Sequence, residues 1–251
     1  ASHKGQNGVL TVVGGSNKYH GASILAMKAA SRFVDLVYFY SPAKLNYRVL
    51  ACMKAENPCF MTLQNERELW KSIEKSDCVL VGNGLELTAK NKKLVNAILR
   101  KAVKKKRIVL DAGALHLADK RLFTRNVLVT PHPLEFKALF GVEASAEEAK
   151  KQARKWKCTV LLKKRFCFVS DGERLSASET GNEEMTKGGT GDVLAGLCAA
   201  FACKNDLFKA AQAAAFLNGF AGDLLKHERA KFNAEDLAEE LPTAWKKAKG
   251  N

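Results

Sequence analysis

The strongest chemical signal in this chain is Lys187-Gly188-Gly189-Thr190-Gly191-Asp192, which runs straight into the apolar stretch Val193-Leu194-Ala195. Glycines allow a sharp turn and a close approach of the main chain to a ligand. The first amides of a helix opening here would have no partner inside the helix, and the helix dipole would favour an anion in front of them. Asp192 alone has a plain structural explanation, because a carboxylate suits the first turn of any helix. The Gly-Gly-Thr-Gly cluster is poorly explained that way. Together they read as an anion hole for a phosphoryl group in transfer, with Asp192 as the general base. Two commoner glycine signatures are absent. No Gly-Lys-Ser/Thr ends a Walker pattern, and Gly14-Gly15-Ser16 lacks the spacing of G-x-G-x-x-G.

These residues need elements to hold them. Short β-branched runs recur at Val9–Val13, Leu36–Tyr40, Asp77–Val81, Arg107–Asp111, Val127–Thr130, Thr159–Leu162 and Phe166–Val169. Helical spacing is seen over Gly21–Arg32, Lys90–Lys105, Asp192–Ala202 and Leu207–Lys226, with a shorter helix near Ala234–Glu240. Alternating strands and helices predict an α/β fold with a mostly parallel central sheet and helices on both faces. No linker, repeat or low-complexity tract divides the sequence, so residues 1–251 are expected to form a single domain. Ligands of such sheets bind at the carboxyl ends of the strands. Gly14-Gly15-Ser16, Gly82-Asn83-Gly84, Asp111, Thr130-Pro131-His132-Pro133 and Lys163 all follow a strand run, which points to a small-molecule site there.

Composition sets aside other classes. Of 251 residues, 47% are hydrophobic and 27% charged, enough apolar surface to fold. No apolar run approaches the roughly 18 residues of a membrane span. The N-terminus has no apolar leader, and the seven cysteines form no C-x-x-C pair. The expectation is a cytoplasmic protein with free, mostly buried or half-buried thiols and no zinc site. The net charge of +15 permits nucleic-acid binding. Its densest runs, Lys101–Arg107, Lys150–Lys157, Lys163–Arg165 and Lys246–Lys249, are not interleaved with aromatics, and read as solvated faces that attract an anionic substrate.

The ordered set of motifs resembles the ribokinase-like superfamily, and within it the NAD(P)H-hydrate dehydratases. The resemblance covers nearly the whole chain. It rests on Lys4-Gly5 with Val12–Ser16, Tyr19 and Gly21-Ala22; on Val81-Gly82-Asn83-Gly84-Leu85 against a G-P-G-L loop; and on Leu110–Leu115 against D-A-x-A-L. Thr130-Pro131-His132-Pro133 with Glu135, Met185 before Gly188–Asp192, Ala221-Gly222-Asp223 and Ala234–Leu237 complete it. It implies dehydration of the S-form of hydrated NADH or NADPH back to the intact cofactor, driven by ADP or ATP. ADP is the expected phosphoryl donor, and Mg²⁺ would bridge its phosphates. Asp192 would take the proton of the substrate hydroxyl. Ala22, Gly82, Gly84 and His132 would bind the hydrated dinucleotide. Gly189, Thr190 and Gly191 would hold phosphate, and Lys163, Lys164, Arg165, Phe166 and Cys167 the nucleotide. The metal's ligands are not assigned. The resemblance also implies a homo-oligomer, a tetramer being common, and a separate epimerase acting alongside, because the epimerase domain often joined to this module is missing.

Plainer readings stand beside these. His132 between two prolines is as readily a rigid turn as a ligand. Asp111 could cap a strand end, Asn182 a turn, and Glu135 could complement a helix N-terminus. The sequence also departs from the family pattern. Lys164 and Cys167 replace the glycine and threonine of K-G-x-x-T, Asn83 replaces the G-P-G-L proline, and Asn218 stands where histidine often precedes Gly219. Two other functions use the same features. A vitamin-precursor kinase of the same superfamily would use Asp192 alike, but lacks the Thr130–Pro133 and Gly82–Gly84 combination. A non-catalytic basic nucleic-acid or nucleotide-binding protein would owe its affinity to net charge and lose it with salt.

Overall fold

The structure, a computed structural model, describes residue 3 and residues 5–43, 47–229 and 231–250. Lys4 of the opening motif lies outside the described residues. Nine strands form one sheet: β1 (Val9–Val13), β2 (Leu36–Tyr40), β3 (Met61–Thr62), β4 (Cys78–Val81), β5 (Arg107–Leu110), β6 (Val127–Val129), β7 (Thr159–Leu162), β8 (Cys167–Ser170) and β9 (Leu175–Ser178). Their order is β3-β2-β1-β4-β5-β6-β7-β8-β9. Every pair from β3 to β7 is parallel, and β8 and β9 close the edge antiparallel.

Successive residues of a strand point to opposite faces, so a strand covered on both sides must be apolar throughout. β4 meets that requirement, being buried at all four positions. Leu80 joins one core with Val109, Leu128 and Leu161, whereas Val79 and Val81 join the other with Ile108, Leu110 and Val129. The first core is covered by α1 (His20–Ala30), α8 (Thr190–Ala202), α9 (Leu207–Arg229) and α10 (Ala234–Ala248), with Met53 of α2 (Tyr47–Glu56) at its margin. The second is covered by α3 (Glu66–Lys75), α4 (Ala89–Ala102), α5 (Gly113–Leu117), α6 (Pro133–Phe140) and α7 (Ala146–Trp156). The mostly parallel sheet with helices on both faces is the one the sequence predicts.

α8 opens on the glycine loop. Residues 193–202 are all buried, so the helix is apolar on every side. Gly196 lets it lie against α1, where a Cβ would collide with the Ala26 carbonyl. Its N-terminus therefore sits over the carboxyl ends of the central strands, with Asp192 drawn in behind it.

Several elements lie beyond the sequence pattern. α3 and α7 are polar helices touching the core through few residues: Leu69 and Ile73 in one, Ala149 and Ala153 in the other. β9 (Leu-Ser-Ala-Ser) is an edge strand with no continuous apolar face. α10 runs to Ala248 rather than Glu240, because Leu241 and Ala244 continue its buried stripe past Pro242. Described lysines of the runs near residues 101–107 and 150–157 are mostly exposed, as expected, but Lys163 is drawn into an ion pair. Cys78, Cys158, Cys198 and Cys203 are buried, Cys167 is half-buried, Cys52 and Cys59 are exposed, and all are free thiols. Among the described residues, no helix is long and apolar enough to cross a membrane.

Candidate active site

Four strand ends and two helix starts meet at the carboxyl end of the sheet. β5 delivers Asp111, β6 Thr130, β7 Lys163, and the turn after β4 delivers Asn83. Asp111 is buried and accepts from the Thr130 hydroxyl (2.7 Å), the Lys163 ammonium (2.8 Å) and the Asn83 amide (3.0 Å). The same Asn83 nitrogen donates to Asp192 Oδ1 at 2.6 Å. Lys163 also faces Glu135 Oε2 at 3.7 Å. One ammonium thus lies among three carboxylates, of Asp111, Glu135 and Asp192.

The electrostatics follow. Burial raises the Asp192 carboxyl to about 7, with Asp111 and Glu135 adding to the rise while Asn83 and Lys163 oppose it. Burial pulls the Lys163 ammonium down, but Asp111 and Glu135 outweigh it and leave the group above its ordinary value. At neutral pH the site holds a permanent cation beside a carboxylate poised near its titration midpoint, the property wanted in a general base.

α8 begins at Thr190, and the Val193 amide makes its first bond, to the Gly189 carbonyl. The amides of Thr190, Gly191 and Asp192 have no backbone acceptor among the described residues. The Thr190 hydroxyl is turned inward, donating to the Met185 carbonyl (2.7 Å). Beyond these amides lies a cavity of about 570 Å³. Lys163, Lys164, Arg165 and Cys167 line it, together with segment 180–182 and Asn218. Asp223 holds that segment, accepting from the Gly181 amide (2.9 Å) and the Asn182 side chain (3.0 Å). Asn218 is buried and its Oδ1 has no partner among the described residues.

The residues singled out in the sequence are not all placed alike. Lys163, Lys164, Arg165, Cys167, Thr190 and Gly191 share the cavity wall. Phe166 does not line it. Its ring is 39% exposed, with the Arg165 guanidinium above it. Gly189 is the left-handed cap of α8 (φ +95°), and a Cβ there would run into Ala234. Ala22 lies in the first turn of α1. His132 caps α6: its Nδ1 accepts from the Leu134 and Glu135 amides, while Glu135 answers from the His132 amide. The ring is half-exposed, leaving Nε2 toward Glu135 and solvent. Gly82 and Gly84 flank a turn closed by the Leu85 amide on the Gly82 carbonyl (2.9 Å). Gly84 takes φ +72°, and side chains at either glycine would strike the carbonyls of Asp111 and Tyr19. Gly14 meets the Asn83 carbonyl in the same way. Their lack of bulk is therefore used first by the protein's own main chain.

Sequence reasoning passed over the side chain of Asn83, the Thr130 hydroxyl, the Lys163–Glu135 pairing and the role of Asp223. A signal existed for Asn83, an amide at a turn position that proline ordinarily suits.

The comparisons with known proteins agree with this geometry. The profile of the NAD(P)H-hydrate dehydratases matches residues 10–243. The chain belongs to that family. It is 36% identical over 252 residues to the bifunctional NAD(P)H-hydrate repair enzyme Nnr of Methanocaldococcus jannaschii, covering 98% of this chain and 49% of that one. The chain spans about half the length of the first such relatives it matches. It is also 36% identical over 269 residues to the ADP-dependent (S)-NAD(P)H-hydrate dehydratase of Cenarchaeum symbiosum, covering 98% and 91%. Among solved structures, the ADP/ATP-dependent NAD(P)H-hydrate dehydratase of Bacillus subtilis, co-crystallized with ATP/Mg²⁺, shares the fold at TM-score 0.85 and 27% identity, over 98% and 91% of the two chains. With these matches the fold is the ribokinase-like one that the motifs imply.

Proposed function

We propose that this chain dehydrates the S-form of hydrated NADH or NADPH, using ADP as phosphoryl donor. The observation that carries the reading is the placement of Asp192. Its carboxyl is raised to about 7 and follows directly on two residues, Thr190 and Gly191, that line the cavity and whose amides have no backbone acceptor among the described residues. A nucleotide diphosphate in the cavity would set its terminal phosphoryl group before those amides. Lys163 would neutralise charge on the transferring group, and Lys164 and Arg165 would hold the remaining phosphate. The hydrated nicotinamide would approach from the side of Ala22, Gly82, Gly84 and His132.

The chemistry balances. Asp192 takes the proton of the substrate hydroxyl as its oxygen bonds to the terminal phosphorus of ADP, and AMP leaves. The carbon–oxygen bond of the phosphorylated intermediate then breaks, phosphate departs with that electron pair, and loss of a proton restores the ring double bond. Among the described residues no group of three or more His, Cys, Asp or Glu side chains could hold a metal ion. Mg²⁺ would enter bound to the nucleotide's phosphates. ADP as donor is supported by the archaeal relatives named ADP-dependent.

The test is recovery of the near-ultraviolet absorbance of reduced nicotinamide from purified hydrated NADH and NADPH, with ADP and ATP in separate reactions. Recovery with ADP, lost in Asp192→Asn while nucleotide still binds, is the expected result. A phosphorylated vitamin-precursor alcohol formed without nicotinamide recovery would move the chain to the kinase reading.

A further inference from the structure

Asn83 occupies a position whose backbone requirements do not call for asparagine. It is the second residue of the Gly82–Leu85 turn, with Gly84 third at φ +72°, and proline suits that second position. Its own amide makes no hydrogen bond among the described residues, so a ring nitrogen there would forfeit none. Its carbonyl is fixed from two sides, by the Gly15 amide (2.8 Å) and the Ser23 hydroxyl (2.8 Å). What asparagine adds is the side chain. Fully buried, it gives its nitrogen to Asp111 at 3.0 Å and Asp192 at 2.6 Å, while its Oδ1 has no partner among the described residues. The reverse orientation would press that oxygen against two carboxylates, so the amide is held one way round.

We infer that Asn83 is a positioning residue for the dehydration, an amide bridge that orients Asp192 as base and ties its protonation to the Asp111–Lys163 pair. The inference rests on Asp192 being the base in the proposed reaction. A carboxylate that accepts a hydrogen bond is favoured in its charged form, so the bridge lowers the pH at which Asp192 becomes competent. It acts against burial and against the negative charges of Asp111 and Glu135, and alongside Lys163, the groups that face Asp192. A relative with proline at this turn has no donor here, and must hold its aspartate otherwise.

Two variants separate the side chain from the turn. Asn83→Pro keeps the turn and removes the donor, and Asn83→Leu removes the donor while keeping the branched shape. The Asp192 carboxyl is followed by carbon NMR in uniformly labelled protein, its signal identified by its absence in Asp192→Asn. In either folded variant its titration midpoint should rise by about one pH unit. The acid limb of kcat/KM for hydrated NADPH should move up equally, giving about a tenfold loss below the limb with the alkaline plateau kept. An Asp192 titration that does not move in a folded variant overturns the inference. A shifted titration in an enzyme whose wild type dehydrates nothing would leave the bridge standing and refute the proposed reaction instead.

Discussion

Replacing Asp192 by asparagine should stop turnover and at the same time make the protein more stable, in a manner that depends on pH. The folded carboxyl titrates near 7, well above its ordinary 3.8. Below the ordinary value both folded and unfolded chains are protonated, and the carboxyl costs nothing. Between the two values the unfolded chain gives up its proton while the folded one keeps it, so stability falls as pH rises. Above 7 both are ionised and the full cost remains. At about 1.4 kcal/mol per pH unit, roughly three units come to about 4 kcal/mol, an upper figure because a real site relaxes. Asparagine keeps an acceptor for the Asn83 amide and carries no charge. Asp192→Asn should therefore gain about 2–4 kcal/mol over wild type at pH 8 and almost nothing at pH 4, or on the order of 5–10 °C in Tm at the alkaline end. Urea denaturation of both proteins across that range measures it. An advantage that is the same at both ends, or a loss at pH 8, would refute the idea that a buried charge is being held there against its tendency.

Other expectations follow from the same geometry. Lys163→Met should leave the buried Asp111 and Glu135 without their cation and cost about 3–5 kcal/mol, most of it recovered in the Lys163→Met, Asp111→Asn double variant; a denaturation cycle over the four proteins reads the coupling. Ala112, immediately after Asp111, sits at φ +47° and ψ −122°, so Ala112→Gly should gain about 1 kcal/mol in urea melts. Asp223→Ala frees the 180–182 segment from its two hydrogen bonds, and steady-state kinetics should show a raised KM for ADP with kcat little changed. His132→Ala removes the α6 cap and should cost about 1 kcal/mol of stability by thermal denaturation.

The central strands and α8 were legible in sequence because burial on all sides forces an unbroken apolar run, as in Cys78–Val81 and Val193–Ala202. The glycine loop was legible because no ordinary helix start needs Gly-Gly-Thr-Gly. α3 and α7 were not, since each commits only a few side chains to the core, and β9 was not, since an edge strand needs no continuous apolar face. Of the site, sequence could name the strand-end residues but not which would touch. Asp111, Asn83 and Lys163 stand 28 and 52 residues or more apart, and only the strand order brings them within hydrogen-bonding reach. The plain reading of Asn182 as a turn cap and of Glu135 as complement to a helix start describes what they do, although Glu135 also faces Lys163.

The loops after β1 and β4 and the end of β5 press main chain against main chain, where Gly14, Gly82 and Gly84 admit carbonyl oxygens in place of side chains. A side chain gained at any of the three would push these segments apart, so the floor of the site depends on what those positions lack. The side chain of Asn83 stands on that frame without building it, so exchanging it would alter the surroundings of Asp192 while the frame beneath stays in place.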